Sequence, residues 1–117
     1  MKTKLLKKEN KLRKSNKKIT ISGKSALRIL TEVEYMMISM RNIAIHYYDN
    51  VDDPENVDPI AYANEITNFV DDQKVVERLC SIRRILSERF DHKVGKDDMD
   101  DTERAMENLP YWKTPKT

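Results

Sequence analysis

Between Ser25 and about Tyr48 the apolar residues Leu27, Leu30, Val33, Met37, Met40 and Ala44 recur every three or four positions, and Ile29, Met36, Ile43 and Tyr47 widen the stripe. That spacing lands side chains on one face of a helix, so the stretch commits the chain to an amphipathic helix that must cover that face. This helix is expected at the centre of the fold.

The same rhythm returns twice. Asp58-Pro59 supplies an N-cap followed by proline at the first helical position, and Ile60, Ala63, Ile66 or Thr67, and Val70 then share a side through about residue 70, with Tyr62 and Phe69 flanking. Residues 73–91 place Val75, Val76, Leu79, Ile82, Leu86 and Phe90 on one face, with Arg78, Arg83, Arg84, Glu88 and Arg89 mostly outside it. After Gly95, Asp97-Asp98 opens a short acidic helix over 99–108 that Pro110 stops. Ile19-Thr20-Ile21 reads as an extended lead-in, since no second strand is evident to pair with it. With no internal repeat and no sustained heptad, the expectation is an all-α fold. It is a small helical bundle of three to five helices over residues 19–117, behind a basic leader at residues 1–18.

A chain of 117 residues has room for one modest core. At 38% apolar and 36% charged residues, that core is expected to be thin and the surface dense in charge. The net charge of +2 hides a split. Residues 1–29 carry eleven Lys or Arg against Glu9 alone, a net +10, while residues 30–117 carry eleven against nineteen Asp or Glu, a net −8. The leader, with Lys2, Lys4, Lys7, Lys8, Lys11, Arg13, Lys14, Lys17 and Lys18, suits non-specific, salt-sensitive contact with phosphates. No aromatic stacking residue is interleaved among them. The acidic body repels nucleic acid and suits a basic partner.

Cys80 is single and lies within an apolar helical pattern, so one chain builds neither a disulfide nor a cysteine-based zinc site, and a reducing compartment fits. No apolar run reaches the ~18 residues of a membrane span, and residues 1–18 lack a signal's apolar segment. The expectation is therefore a cytosolic protein with no membrane partner and no cofactor. Phosphate loop, nucleophile elbow and calcium-loop order are all missing; no metal site is expected. His92, near a helix end, reads as a cap that complements the helix dipole.

The most catalytic-looking string is Arg41-Asn42-Ile43-Ala44-Ile45-His46-Tyr47-Tyr48. Its R-N-x-x-x-H-x-Y pattern resembles the motif of HEPN ribonucleases and of the HepT toxins among them. The resemblance implies a helical homodimer whose motifs converge on RNA. His46 would move the 2′-hydroxyl proton, Arg41 would stabilise phosphorane charge, and Tyr48 would support them. The other reading gives no residue a catalytic role: Arg41 and His46 stand near a helix C-terminus, where positive groups complement the dipole and bond terminal carbonyls.

A second signal is the acidic run Asp97, Asp98, Asp100, Asp101 and Glu103, with Glu107 one turn on, joined by Asp49, Asp52, Asp53, Glu55 and Asp58 in the earlier loop. First-turn acids favour a helix dipole, but one or two suffice for that. The surplus suits a surface built to meet positive charge, as an inhibitor meets a nuclease's basic cleft. The ending Ile85-Leu86-Ser87-Glu88-Arg89-Phe90-Asp91 and Asp97 through Pro110-Tyr111-Trp112 resembles that of small helical immunity proteins of bacterial contact-dependent inhibition systems. The resemblance implies an antidote without turnover that binds one basic toxin protein, often a nuclease. Tyr111 and Trp112 are expected to tie the C-terminus onto the body.

Overall fold

The computed structural model describes residues 11–49, 52 and 54–116. Among them there is no strand, and four α-helices carry the chain: α1 Gly23–Ala44, α2 Pro59–Asp72, α3 Val75–Ser87 and α4 Asp101–Met106. A π turn covers Ile45–Asp49, and 3-10 turns cover Lys14–Asn16 and Pro54–Asn56. The all-α expectation holds.

Local chemistry sets the ends. Ser22 begins α1 earlier than the apolar stripe does, because its hydroxyl accepts the Ser25 N–H at 3.1 Å. Asp58 caps α2 by accepting the Ala61 N–H at 3.0 Å, with Pro59 at the first position as expected. Gln73 N–H closes α2 onto the Phe69 carbonyl, and Lys74 turns left-handed at φ 54°, which separates α2 from α3. The α4 helix is shorter than 99–108 because Asp100 is its N-cap rather than an interior residue.

The chain divides into two compact units, residues 21–86 and a terminal unit of 11–20 with 87–116. A boundary after residue 18 was expected instead. The described leader residues do not stand apart, because they belong with the far end of the chain.

In the unit of residues 21–86, Met36 and Val75 are the buried apolar side chains, contributing about 1.5–3 kcal/mol each. Polar contacts around Tyr35 hold the three helices. The Tyr35 hydroxyl donates to Gln73 at 3.0 Å, its ring lies 5.9 Å from that of Phe69, and the Arg78 guanidinium sits 4.5 Å above it. Arg78 also donates to Glu32 at 3.0 Å and to the Gln73 carbonyl at 2.7 Å, so one side chain joins α1, the end of α2 and α3. The expectation that α1 lies at the centre holds for only half of its stripe. Leu27, Leu30, Val33 and Met37 stay exposed, because the apolar arc is wider than the helices that cover it.

The terminal unit has a polar centre. Its buried residues are Asn16, Asp100 and Asp101, at 3%, 8% and 4% exposure.

Candidate partner-binding surfaces

The α4 acids are a linked network. Asp100 accepts from the Glu103 N–H at 2.8 Å, the Thr102 hydroxyl at 2.7 Å and His92 Nδ1 at 3.1 Å, while Glu103 accepts back from the Asp100 N–H at 3.2 Å. This reciprocal capping box lowers the Asp100 pKa to about 2, first through the Glu103 N–H and then through Thr102 and His92. Arg104 grips both oxygens of Asp97 at 2.8 Å and reaches Asp101 Oδ1 at 2.8 Å. These bonds hold the Asp97 carboxyl below its usual range and raise the arginine further.

Asp101 does the work that ties the two ends of the chain together. Its Oδ2 accepts from the Arg13 N–H at 2.8 Å and from the Asn16 amide at 2.8 Å. Burial pushes its pKa up most strongly, yet the bonds from Asn16, Arg13 and Arg104 outweigh that and leave it lowered. Asn16 also donates to the Asp91 carbonyl at 2.9 Å and accepts the Asp91 N–H at 2.7 Å, a two-way amide clasp that fixes the 3-10 turn Lys14–Asn16. The Ser15 hydroxyl donates to the Asp91 carboxylate at 2.7 Å.

This corrects the expectation of a solvent-facing surface for Asp100 and Asp101 of the acidic run. Asp100 and Asp101 are buried and so need donors for their carboxylates, while Asp97 is exposed and held by Arg104. Asp98, Glu103 and Glu107 are exposed. Asp98 takes φ 60° in the turn before α4, and Glu103 completes the capping box.

In the other unit, Asp52 and Glu55 are exposed, as are Asp49, Asp58, Glu65, Asp71 and Asp72; Asp53 lies outside the described residues. By sequence, residues 21–86 carry seven Lys or Arg against eleven Asp or Glu, a net −4, and residues 11–20 with 87–116 carry eleven against eight, a net +3. Folding therefore regroups the charges: the C-terminal acids go with the basic leader, and the acidic excess falls on residues 21–86.

Arg41 lies in the last turn of α1 and His46 follows in the π turn, both exposed, as is Tyr48. Among the described residues neither the Arg41 nor the His46 side chain makes a hydrogen bond or ion pair. His46 packs edge-on to Tyr47 at 4.8 Å, Tyr48 packs on Tyr62 at 5.1 Å, and the Tyr47 hydroxyl meets Glu65 at 3.3 Å. The expected bonding of α1's terminal carbonyls by Arg41 and His46 is absent, because the Ile45 backbone N–H serves the Arg41 and Asn42 carbonyls. His92 does act as expected, donating from Nε2 to the carbonyl of Ser87, the last residue of α3, at 2.7 Å.

Tyr111 and Trp112 do not tie the tail down, being 66% and 82% exposed. Among the described residues no group of His, Cys, Asp and Glu side chains could hold a metal, and no helix is long and apolar enough to cross a membrane. No protein-family model, curated protein or solved structure matches the chain.

Proposed function

We propose that this protein is an immunity protein, an antitoxin that binds one basic toxin, a nuclease by preference, and blocks it without turnover. The observation that carries the reading is the concentration of exposed carboxylates on residues 49–72, led by Asp49, Asp52, Glu55 and Asp58 around the loop before α2 and continued by Glu65, Asp71 and Asp72. A nuclease cleft is positive because it binds phosphates, so a surface of this sign is steered to it and competes with its substrate. The α4 acids take part as the frame of the terminal unit, with Asp98 and Glu107 left at its surface.

A second reading, a HEPN-type ribonuclease, is favoured by one observation: Arg41 and His46 are exposed and unpaired among the described residues, and His46 lies in a π turn directly after α1, a distortion frequent at functional sites. One experiment separates the two. Wild type and His46→Ala are induced in bacteria, alone and beside a candidate basic nuclease toxin. Immunity predicts harmless expression of both with intact RNA, and growth restored beside the toxin. Arrest with RNA cleavage by wild type alone would overturn it in favour of the nuclease.

A further inference from the structure

We propose that the terminal unit is a binding site for single-stranded nucleic acid, in which the basic turn before α1 holds the phosphates and the aromatic tail after α4 stacks on bases. The inference is separate from the acidic surface of residues 49–72 and uses none of its residues.

The leader by itself lacked a stacking group, and the fold supplies one. Residues 11–20 and 87–116 belong to one compact unit, so Tyr111, Trp112, Lys113 and Lys116 are carried on the same body as Lys11, Lys14, Lys17 and Lys18. All eight are exposed.

The lysines are presented by a fixed turn. Asn16 is buried in its clasp with Asp91 and Asp101, and the nearby Lys14 and Lys17 of the same turn are exposed. A flexible lysine run loses chain entropy when it binds, whereas this one has already been ordered by folding. Four of the unit's carboxylates are engaged by donors, Asp97 and Asp101 by Arg104, Asp91 by Ser15 and Arg13, Asp100 by its cap and His92, while Asp98 and Glu107 stay at the surface. Over its described residues the unit carries eleven Lys or Arg against eight Asp or Glu, a net +3.

Two adjacent aromatics, Tyr111 and Trp112, have apolar faces left exposed among the described residues. A base has the flat face to match them, and flanking lysines reach its backbone; this pairing of stacking platform and positive track suits unpaired strands, whose bases are open. A duplex hides its bases and would use the lysines alone.

Trp112 is the only tryptophan, so it reports directly. Its emission is followed while an oligouridylate of about 15 nucleotides is added, and variants are compared by anisotropy of a labelled strand after their circular dichroism is matched to wild type. The proposal expects saturable quenching. With about four phosphate contacts, affinity should fall roughly 50-fold between ~50 and ~200 mM salt. Lys14→Ser/Lys17→Ser/Lys18→Ser should abolish most binding, and Trp112→Ala should weaken the single strand about tenfold while leaving duplex binding unchanged. No saturable quenching at ~50 mM salt would overturn the proposal, as would a Trp112→Ala protein that binds the single strand like wild type. Quenching or a blue shift with anionic vesicles but not with oligouridylate would overturn it in favour of a lipid surface.

Discussion

Asn16→Ala tests the clasp that joins the two ends of the chain. The substitution removes the amide that donates to the Asp91 carbonyl and to Asp101 and that accepts the Asp91 N–H. Each ordinary bond of this kind contributes about 0.5–1.5 kcal/mol, and a buried group left without its partner costs about 1–3 kcal/mol. The Asp91 N–H is the group most exposed to that cost, since a methyl group at position 16 cannot replace the amide oxygen. Asp101 keeps Arg13 and Arg104, so its carboxylate remains paired. The expected loss is therefore about 3 kcal/mol, a large share of the ~5–15 kcal/mol typical of a domain. Urea unfolding followed by far-ultraviolet circular dichroism measures it, and amide exchange at Arg13, Asn16 and Asp91 tells whether the terminal unit opens first. Lys17→Ala, one residue on and exposed, is the control and should stay within about 0.5 kcal/mol. If Asn16→Ala behaves like the control, the clasp is not what holds the leader.

Further outcomes follow from other contacts. Both ring nitrogens of His92 face acceptors, the Ser87 carbonyl and Asp100, so its charged form is favoured and its pKa lies above the ordinary ~6.5. Its contribution is complete below ~6.5 and fades as pH rises through the folded value. That of Asp100 is present above the ordinary ~3.9 and fades as pH falls toward about 2. Stability of wild type relative to His92→Ala should therefore decline on raising pH from 6 to 8, and a flat difference would contradict the two-acceptor geometry. Arg78→Lys should cost about 1–3 kcal/mol in thermal unfolding, because an ammonium cannot lie over Tyr35 while reaching both Glu32 and the Gln73 carbonyl. Lys74→Gly should raise stability by about 0.5–1 kcal/mol, since glycine takes φ 54° without the side-chain penalty. Under the proposed function, reversing Asp49, Asp52 and Glu55 to lysine should slow association with the toxin tenfold or more at low salt, with the effect shrinking as salt is added, whereas equal rates would remove this loop from the interface.

Helix identity was legible because it depends on neighbours three and four positions apart. The stripe of α1, the Asp58-Pro59 start of α2 and the face of α3 all announce themselves at that range, and the thinness of the core follows from composition. Placement of the candidate sites was less legible. The string from Arg41 to Tyr48 locates the end of α1, but its π turn, and the backbone that satisfies the carbonyls expected for Arg41 and His46, are properties of the folded chain. One local sign did separate framework from surface in α4: Asp100 and Glu103 stand three apart, as a capping box requires.

By itself, then, the sequence determined an all-α chain, its helices and caps, and the charge available to it. Only tertiary structure decided which charges face water. Asp101 and Asn16 are separated by 85 positions and meet through one 2.8 Å bond. No pattern of short period encodes such a pairing, because it arises from the free energy of satisfying polar groups that the whole fold withdraws from water. The same long-range closure turned an acidic tail into the anchor of a basic leader and left the acidic excess on residues 21–86.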